Sequence, residues 1–126
     1  MELKEAIGRI YKEAKKQFDF QNKPNVRFKN DEENAEDLLG KTAYYDPSDQ
    51  SIVLYITNRH PKDVCRSFCH ELIHHIQNER GDLEDGNLSS PDYAQTDGHM
   101  REMEKEAYLE GNLLLRDYED KVKYKQ

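Results

Sequence analysis

Apolar residues recur along this chain with two different periods, and the periods divide it into elements. Leu3, Ile7, Ile10, Tyr11, Ala14 and Phe18 share one stripe of a 3.6-residue repeat, with Lys and Glu opposite, which predicts an amphipathic helix over residues 2–20. Asn22, Lys23, Pro24 and Asn25 interrupt it. Val26-Arg27-Phe28 alternates and predicts a short strand. Residues 30–40 are acidic and fit either a loop or one helical turn ending at Gly40, in both cases a solvated surface. Thr42 to Tyr45 and Ser51 to Ile56 predict two strands, and Asp46-Pro47-Ser48-Asp49-Gln50 between them has the chemistry of a tight turn, so the pair reads as an antiparallel hairpin. Pro61 suits a first helical turn, where its missing N–H costs nothing. A second long helix is therefore expected from Pro61 to Arg80, stopped by Gly81. Residues 81–97 are polar, rich in turn formers and longer than a mere connection needs, which points to a functional or mobile loop. A last helix should start near Asp97 or Gly98 and reach about Tyr118, with the tail 119–126 extending it or fraying.

Helix, strand, hairpin, helix, long loop, helix is an α+β order: a small three-stranded mixed or antiparallel sheet against helices. The 126 residues suit one domain spanning 1–126. Nineteen basic against 26 acidic residues leave a net charge of −7 without any basic block, which argues against nucleic acid as the main partner. No apolar run approaches the ~18 residues of a membrane span, and the charged amino terminus lacks the apolar core of a signal peptide. Cys65 and Cys69 are too few for a disulfide framework and suggest reduced thiols, hence a cytoplasmic protein.

Chemistry enters at His70-Glu71-Leu72-Ile73-His74, an HExxH motif inside the second long helix. Positions i and i+4 of a helix lie one above the other, so both imidazoles can reach one ion. Zinc suits neutral imidazole, and a catalytic zinc needs three protein ligands and an open position for water. Glu71, beside the first ligand, can take that water's proton as general base. By composition alone the motif would occur in about one such chain in fifty, so its helical setting must carry the reading. On the helix wheel His70 and His74 share a polar sector with Asp63, Ser67 and Gln77, while Cys65, Cys69, Leu72, Ile73 and Ile76 form an apolar back. The cysteines thus point away from the histidines and read as buried small hydrophobes; His75 reads as structural or exposed, and His60 as a helix-boundary residue.

The third ligand must come from elsewhere. In the last helix Met103, Glu106, Leu109, Glu110, Leu113 and Leu114 form one stripe, with Lys105, Tyr108 and Asn112 opposite. A carboxylate on a core-facing stripe needs a partner or a metal. Glu106 as ligand and Glu110 as acceptor for an imidazole N–H would satisfy both. Glu102 is the main rival as ligand and His99 another; Tyr93 or His99, in or beside the long loop, could stabilise an oxyanion.

HELIH followed by Glu106-Ala107-Tyr108-Leu109-Glu110 resembles the gluzincin metallopeptidases, whose third ligand is a glutamate on a later helix, often followed by Ala and by an acidic residue four positions on. Size and helix order resemble the minigluzincins, the smallest of them, and the likeness covers about residues 42–114. SprT-like proteins, with HExxH and commonly a histidine third ligand, are a more distant likeness. The metzincin extension fails, because it would need Gly and His where Gln77 and Arg80 stand. The resemblance implies a zincin-like fold with a glutamate-bearing last helix, in which the strand Ser51–Ile56 lines the cleft and offers its edge to a peptide or protein substrate.

The expectation is a zinc-dependent endopeptidase with one Zn²⁺ held by His70, His74 and Glu106, with Glu71 as base. The alternative is a zinc-holding binding module or a latent, catalytically silent relative. A metal-free interaction protein is a third reading.

Overall fold

The computed structural model describes residues 2–37, 40–83 and 98–124. Its elements are helix α1 (Leu3–Gln17), strand β1 (Asn25–Lys29), helix α2 (Glu32–Glu36), strands β2 (Ala43–Asp46) and β3 (Ser51–Tyr55), and helices α3 (Pro61–Glu79) and α4 (Gly98–Tyr124). The expected α+β layout with a small mixed sheet is present. In the ambiguous acidic stretch the helical alternative forms: the Asp31 carboxylate caps α2 by accepting from the Asn34 N–H at 3.0 Å.

The sheet order is β1-β3-β2. β2 and β3 form the expected antiparallel hairpin, with Ala43 opposite Leu54 and Asp46 opposite Ser51. β1 pairs parallel on the other side of β3, with Asn25 opposite Ser51 and Lys29 opposite Tyr55. The expectation that Ser51–Ile56 offers a free edge is therefore corrected: β3 is the central strand, and all five of its residues are buried. Among the described residues the unpaired edge on the hairpin side belongs to β2. Because the Tyr55 N–H bonds to the Thr42 carbonyl across the pair, Thr42 and Tyr44 turn their main-chain groups inward to β3. Those of Ala43 and Tyr45 point outward.

The core lies between the sheet and the helices. Ile7, Ile10 and Ala14 of α1, Ile52 and Leu54 of β3, Phe68, Leu72 and Ile76 of α3, and Ala107 and Leu114 of α4 belong to one buried cluster. Removing large side chains such as Phe68 and Leu72 from water contributes about 1.5–3 kcal/mol each. α3 begins where Pro61 follows His60, whose Nδ1 accepts from the Lys62 N–H at 3.0 Å. It ends where Gly81 adopts φ 86°, a left-handed conformation that favours glycine.

α4 runs beyond the expected end near Tyr118, and the tail is helical to Tyr124. Lys121 pairs with Glu13 at 2.6 Å, Gln17 donates to Asp117 at 2.9 Å, and Lys62 lies 3.5 Å from Glu119, so α1 and α3 hold the last turns. Arg59 pins the other side of the fold. Its guanidinium donates to the carbonyls of Thr42 and Tyr55 at 2.9 and 2.8 Å, and to the Asp63 carbonyl and Ser67 Oγ at 3.0 and 2.9 Å. Among the described residues no helix is long and apolar enough to cross a membrane.

Candidate metal centre

The apolar back of α3 is buried as expected: Cys65, Cys69, Leu72, Ile73 and Ile76 are all in the core. Both cysteines are free thiols, and burial pushes the thiol pKa of each upward. His75 resolves to the structural reading. It is fully buried, with Nδ1 2.8 Å from the Tyr45 hydroxyl and Nε2 2.6 Å from the Asn22 carbonyl.

The opposite face of α3 carries His70 and His74, ring centroids 4.9 Å apart, and turns them toward α4. The residue that meets them is Glu104. Its Oε1 lies 2.8 Å from His74 Nε2 and its Oε2 lies 3.5 Å from His70 Nε2. One donor atom from each of these three residues lies within 4.8 Å of the others. Tetrahedral zinc with N and O ligands at ~2.0–2.2 Å spaces its donors about 3.3–3.6 Å apart; the 3.5 Å contact meets that separation and the 2.8 Å contact is shorter than it. The donor set of two imidazoles and one carboxylate fits a divalent ion and leaves room for a fourth ligand.

Glu106, expected as the ligand, faces elsewhere. It accepts from Gln77 Nε2 at 2.8 Å and from Arg80 Nη2 at 2.7 Å. These hydrogen bonds, Arg80 foremost, hold its carboxyl below the ordinary value. The correction has a packing cause. The buried line of α4 runs through Met100, Ala107, Leu114 and Leu115, whereas Leu109 and Leu113 of the expected stripe are 60% and 41% exposed. α4 approaches α3 so closely that a Cβ on Gly111 would stand 3.1 Å from the main-chain nitrogen of His70. Small residues occupy that contact, and Glu104, two turns before Gly111, comes to the histidines with them. The spacing Met100, Glu104, Ala107, Gly111, Leu114 was the available signal.

The other expected participants are also placed. Glu110 makes no hydrogen bond to either imidazole; for His74 the acceptor is Gln77, whose Oε1 is 2.8 Å from Nδ1. Glu102 is exposed, 3.5 Å from Lys105. His99 Nε2 lies 2.8 Å from the Asp82 carbonyl, outside the three-residue group. Tyr93 lies outside the described residues.

Electrostatics bind the group together. Hydrogen bonds from His70 and His74 hold the Glu104 carboxyl far below the usual carboxylate range. Burial pulls the His74 pKa down, but Glu104, Glu71 and Gln77 outweigh it and leave the net shift upward. Packed surroundings push the Glu71 carboxyl up, against the lowering influence of His74 and His70. A cavity of about 340 Å³ opens beside His70, lined also by Glu71, Tyr108, Gly111, Asn112 and Thr42 among others. The Tyr108 ring stands over His70 at 4.5 Å between centroids. The chain therefore brings together two imidazoles, a carboxylate that could hold a metal ion with them, and a second carboxylate that borders a cavity.

No protein-family model matches the chain, and no similar curated protein or solved structure was found.

Proposed function

We propose that this chain is a zinc-dependent peptidase whose ligands are His70, His74 and Glu104. The observation that carries the reading is the convergence of these three donors within 4.8 Å, from two facing helices, beside a cavity bordered by Glu71. Zinc bound there would polarise a scissile carbonyl and lower the pKa of a bound water toward ~7. The remaining work belongs to side chains. Glu71 takes the proton of the attacking water and hands it to the departing amine nitrogen. The outward N–H and C=O of Ala43 and Tyr45 on β2 orient an extended substrate segment by adding it as a further strand. Thr42, next to that edge, lines the same cavity as Glu71, so a segment bound along β2 runs toward the base.

Glu71→Gln tests the reading. Wild type and variant should each bind one zinc, and only the wild type should cleave unfolded protein or a peptide library. Equal inertness with zinc bound in both would favour a zinc-holding binding module. Purified protein that takes up no zinc would sink both readings.

A further inference from the structure

Gln77 is a fully buried polar side chain three residues after the second histidine, and its hydrogen bonds leave one orientation open to it. Its amide nitrogen lies 2.8 Å from the Met103 carbonyl and 2.8 Å from Glu106 Oε1. Both partners are acceptors, so both amide hydrogens are committed on that side. Glu106 is kept a carboxylate by Arg80, at 2.7 Å, and Arg80 also pairs with Asp82 at 2.7 Å. A carboxylate has no hydrogen to give, so the amide cannot turn over. Its oxygen therefore faces His74 Nδ1, at 2.8 Å. An amide oxygen only accepts, so Nδ1 must carry the hydrogen.

We propose that Gln77, anchored by Glu106, Arg80 and the Met103 carbonyl, is a positioning residue that keeps a hydrogen of His74 on Nδ1. Glu104, a carboxylate 2.8 Å from Nε2, has no hydrogen to give either, so in the metal-free chain both ring nitrogens of His74 are donors. The Nε2 hydrogen is the one an ion at the site would displace to reach a lone pair, while Nδ1 keeps its own. Gln77 is the opposing acceptor. The two histidines are consequently unequal. His70 Nδ1 is buried with no hydrogen-bond partner among the described residues, so its ring is set by packing against Tyr108 and His74. The use made of the lone pair rests on the proposed metal site, but the position of the hydrogen is a property of the metal-free chain.

Nitrogen-15 NMR of the metal-free protein, labelled at histidine, reads the hydrogen directly. In wild type a one-bond N–H correlation should be found at His74 Nδ1. In Gln77→Leu that signal should be lost while the Nε2 hydrogen facing Glu104 stays, and zinc affinity, measured by chelator competition, should fall about 10–100-fold. Gln77→Glu combined with Glu106→Gln, which turns the facing carboxylate into a donor, still presents an oxygen to Nδ1 and should keep the Nδ1 hydrogen. A bare Nδ1 in wild type overturns the inference, as does a folded Gln77→Leu that keeps the Nδ1 hydrogen. If Gln77→Leu does not fold, wild type and the Gln77→Glu/Glu106→Gln pair decide by the same signal. A wild type that shows the Nδ1 hydrogen but takes up no zinc upholds the assignment and refutes the metal reading instead.

Discussion

Glu104 and Glu106 stand two residues apart on α4, and replacing each by alanine separates a metal ligand from its supporting network. A four-ligand zinc site binds with about 10–16 kcal/mol at neutral pH, which spread over its ligands is about 2.5–4 kcal/mol each. At 1.4 kcal/mol per decade, Glu104→Ala should lose roughly two to three decades of zinc affinity. Glu106→Ala removes only an acceptor of Gln77 and a partner of Arg80, so it should lose about one decade at most. Without metal, Glu104→Ala strands the buried His74. The Glu104 carboxyl sits below its ordinary value of 4.5, so its contribution is present above that pH and fades as pH falls through the depressed value. His74 sits above its ordinary 6.5, so its contribution is complete below 6.5 and fades as pH rises through the raised value. The metal-free penalty should therefore be greatest between about pH 4.5 and 6.5. The Glu104 side chain is 34% exposed. Screening by solvent therefore reduces the ~1.5–3 kcal/mol of charged hydrogen bonds to about 1–2 kcal/mol. Chelator competition gives the affinities, and urea denaturation across pH gives the stabilities. A Glu106→Ala variant that loses as much zinc affinity as Glu104→Ala would refute the assignment of the third ligand.

Gly111→Val should destabilise the fold by about 1–3 kcal/mol in urea denaturation. A Cβ there meets α3 backbone atoms at 3.1–3.3 Å, and backbone cannot yield as a side-chain tip can. The same variant should weaken zinc binding, since α4 must back away and Glu104 with it; Gly111→Ala should be milder, because about 1 kcal/mol of helix propensity offsets the crowding. Tyr45→Phe should cost about 1–3 kcal/mol by leaving the buried Nδ1 of His75 without its hydroxyl partner. Zinc affinity should be unchanged in that variant, because Tyr45 and His75 face Asn22 rather than α4; an unchanged denaturation midpoint would refute the role given to the hydroxyl.

The geometry of α3 was legible because its chemistry and its periodicity coincide. His70 and His74 fall on one sector, and five apolar residues fall behind them. On α4 the same reasoning followed the large side chains Leu109 and Leu113, and so turned the helix to the wrong face. The contact with α3 is too close for large residues, and Ala107 and Gly111 occupy it instead. Hydrophobicity ranks those two low, which is why Glu104 was passed over for Glu106. The central position of β3 had a visible cue in the unbroken run Ile52-Val53-Leu54-Tyr55, the composition of a strand covered on both faces. Its second neighbour was not legible, because the parallel pairing with β1 joins residues 26 apart and leaves no turn signature between them. His75 shares its side of α3 with Val64 and Phe68, which fits burial, but its partners were not legible, since Tyr45 and the Asn22 carbonyl reach it only in the folded chain.

The two margins of the sheet differ in how they meet other polypeptides. β1 follows Pro24 and carries Arg27 and Lys29, charges that discourage a second chain from stacking alongside. β2 carries a single charge, Asp46 at its end, and is only four residues long before it gives way to Pro47. Two outward residues give a short guest a foothold, while a self-propagating β-ladder finds too little length to start from. Brevity thus lets the molecule keep one margin open without inviting aggregation.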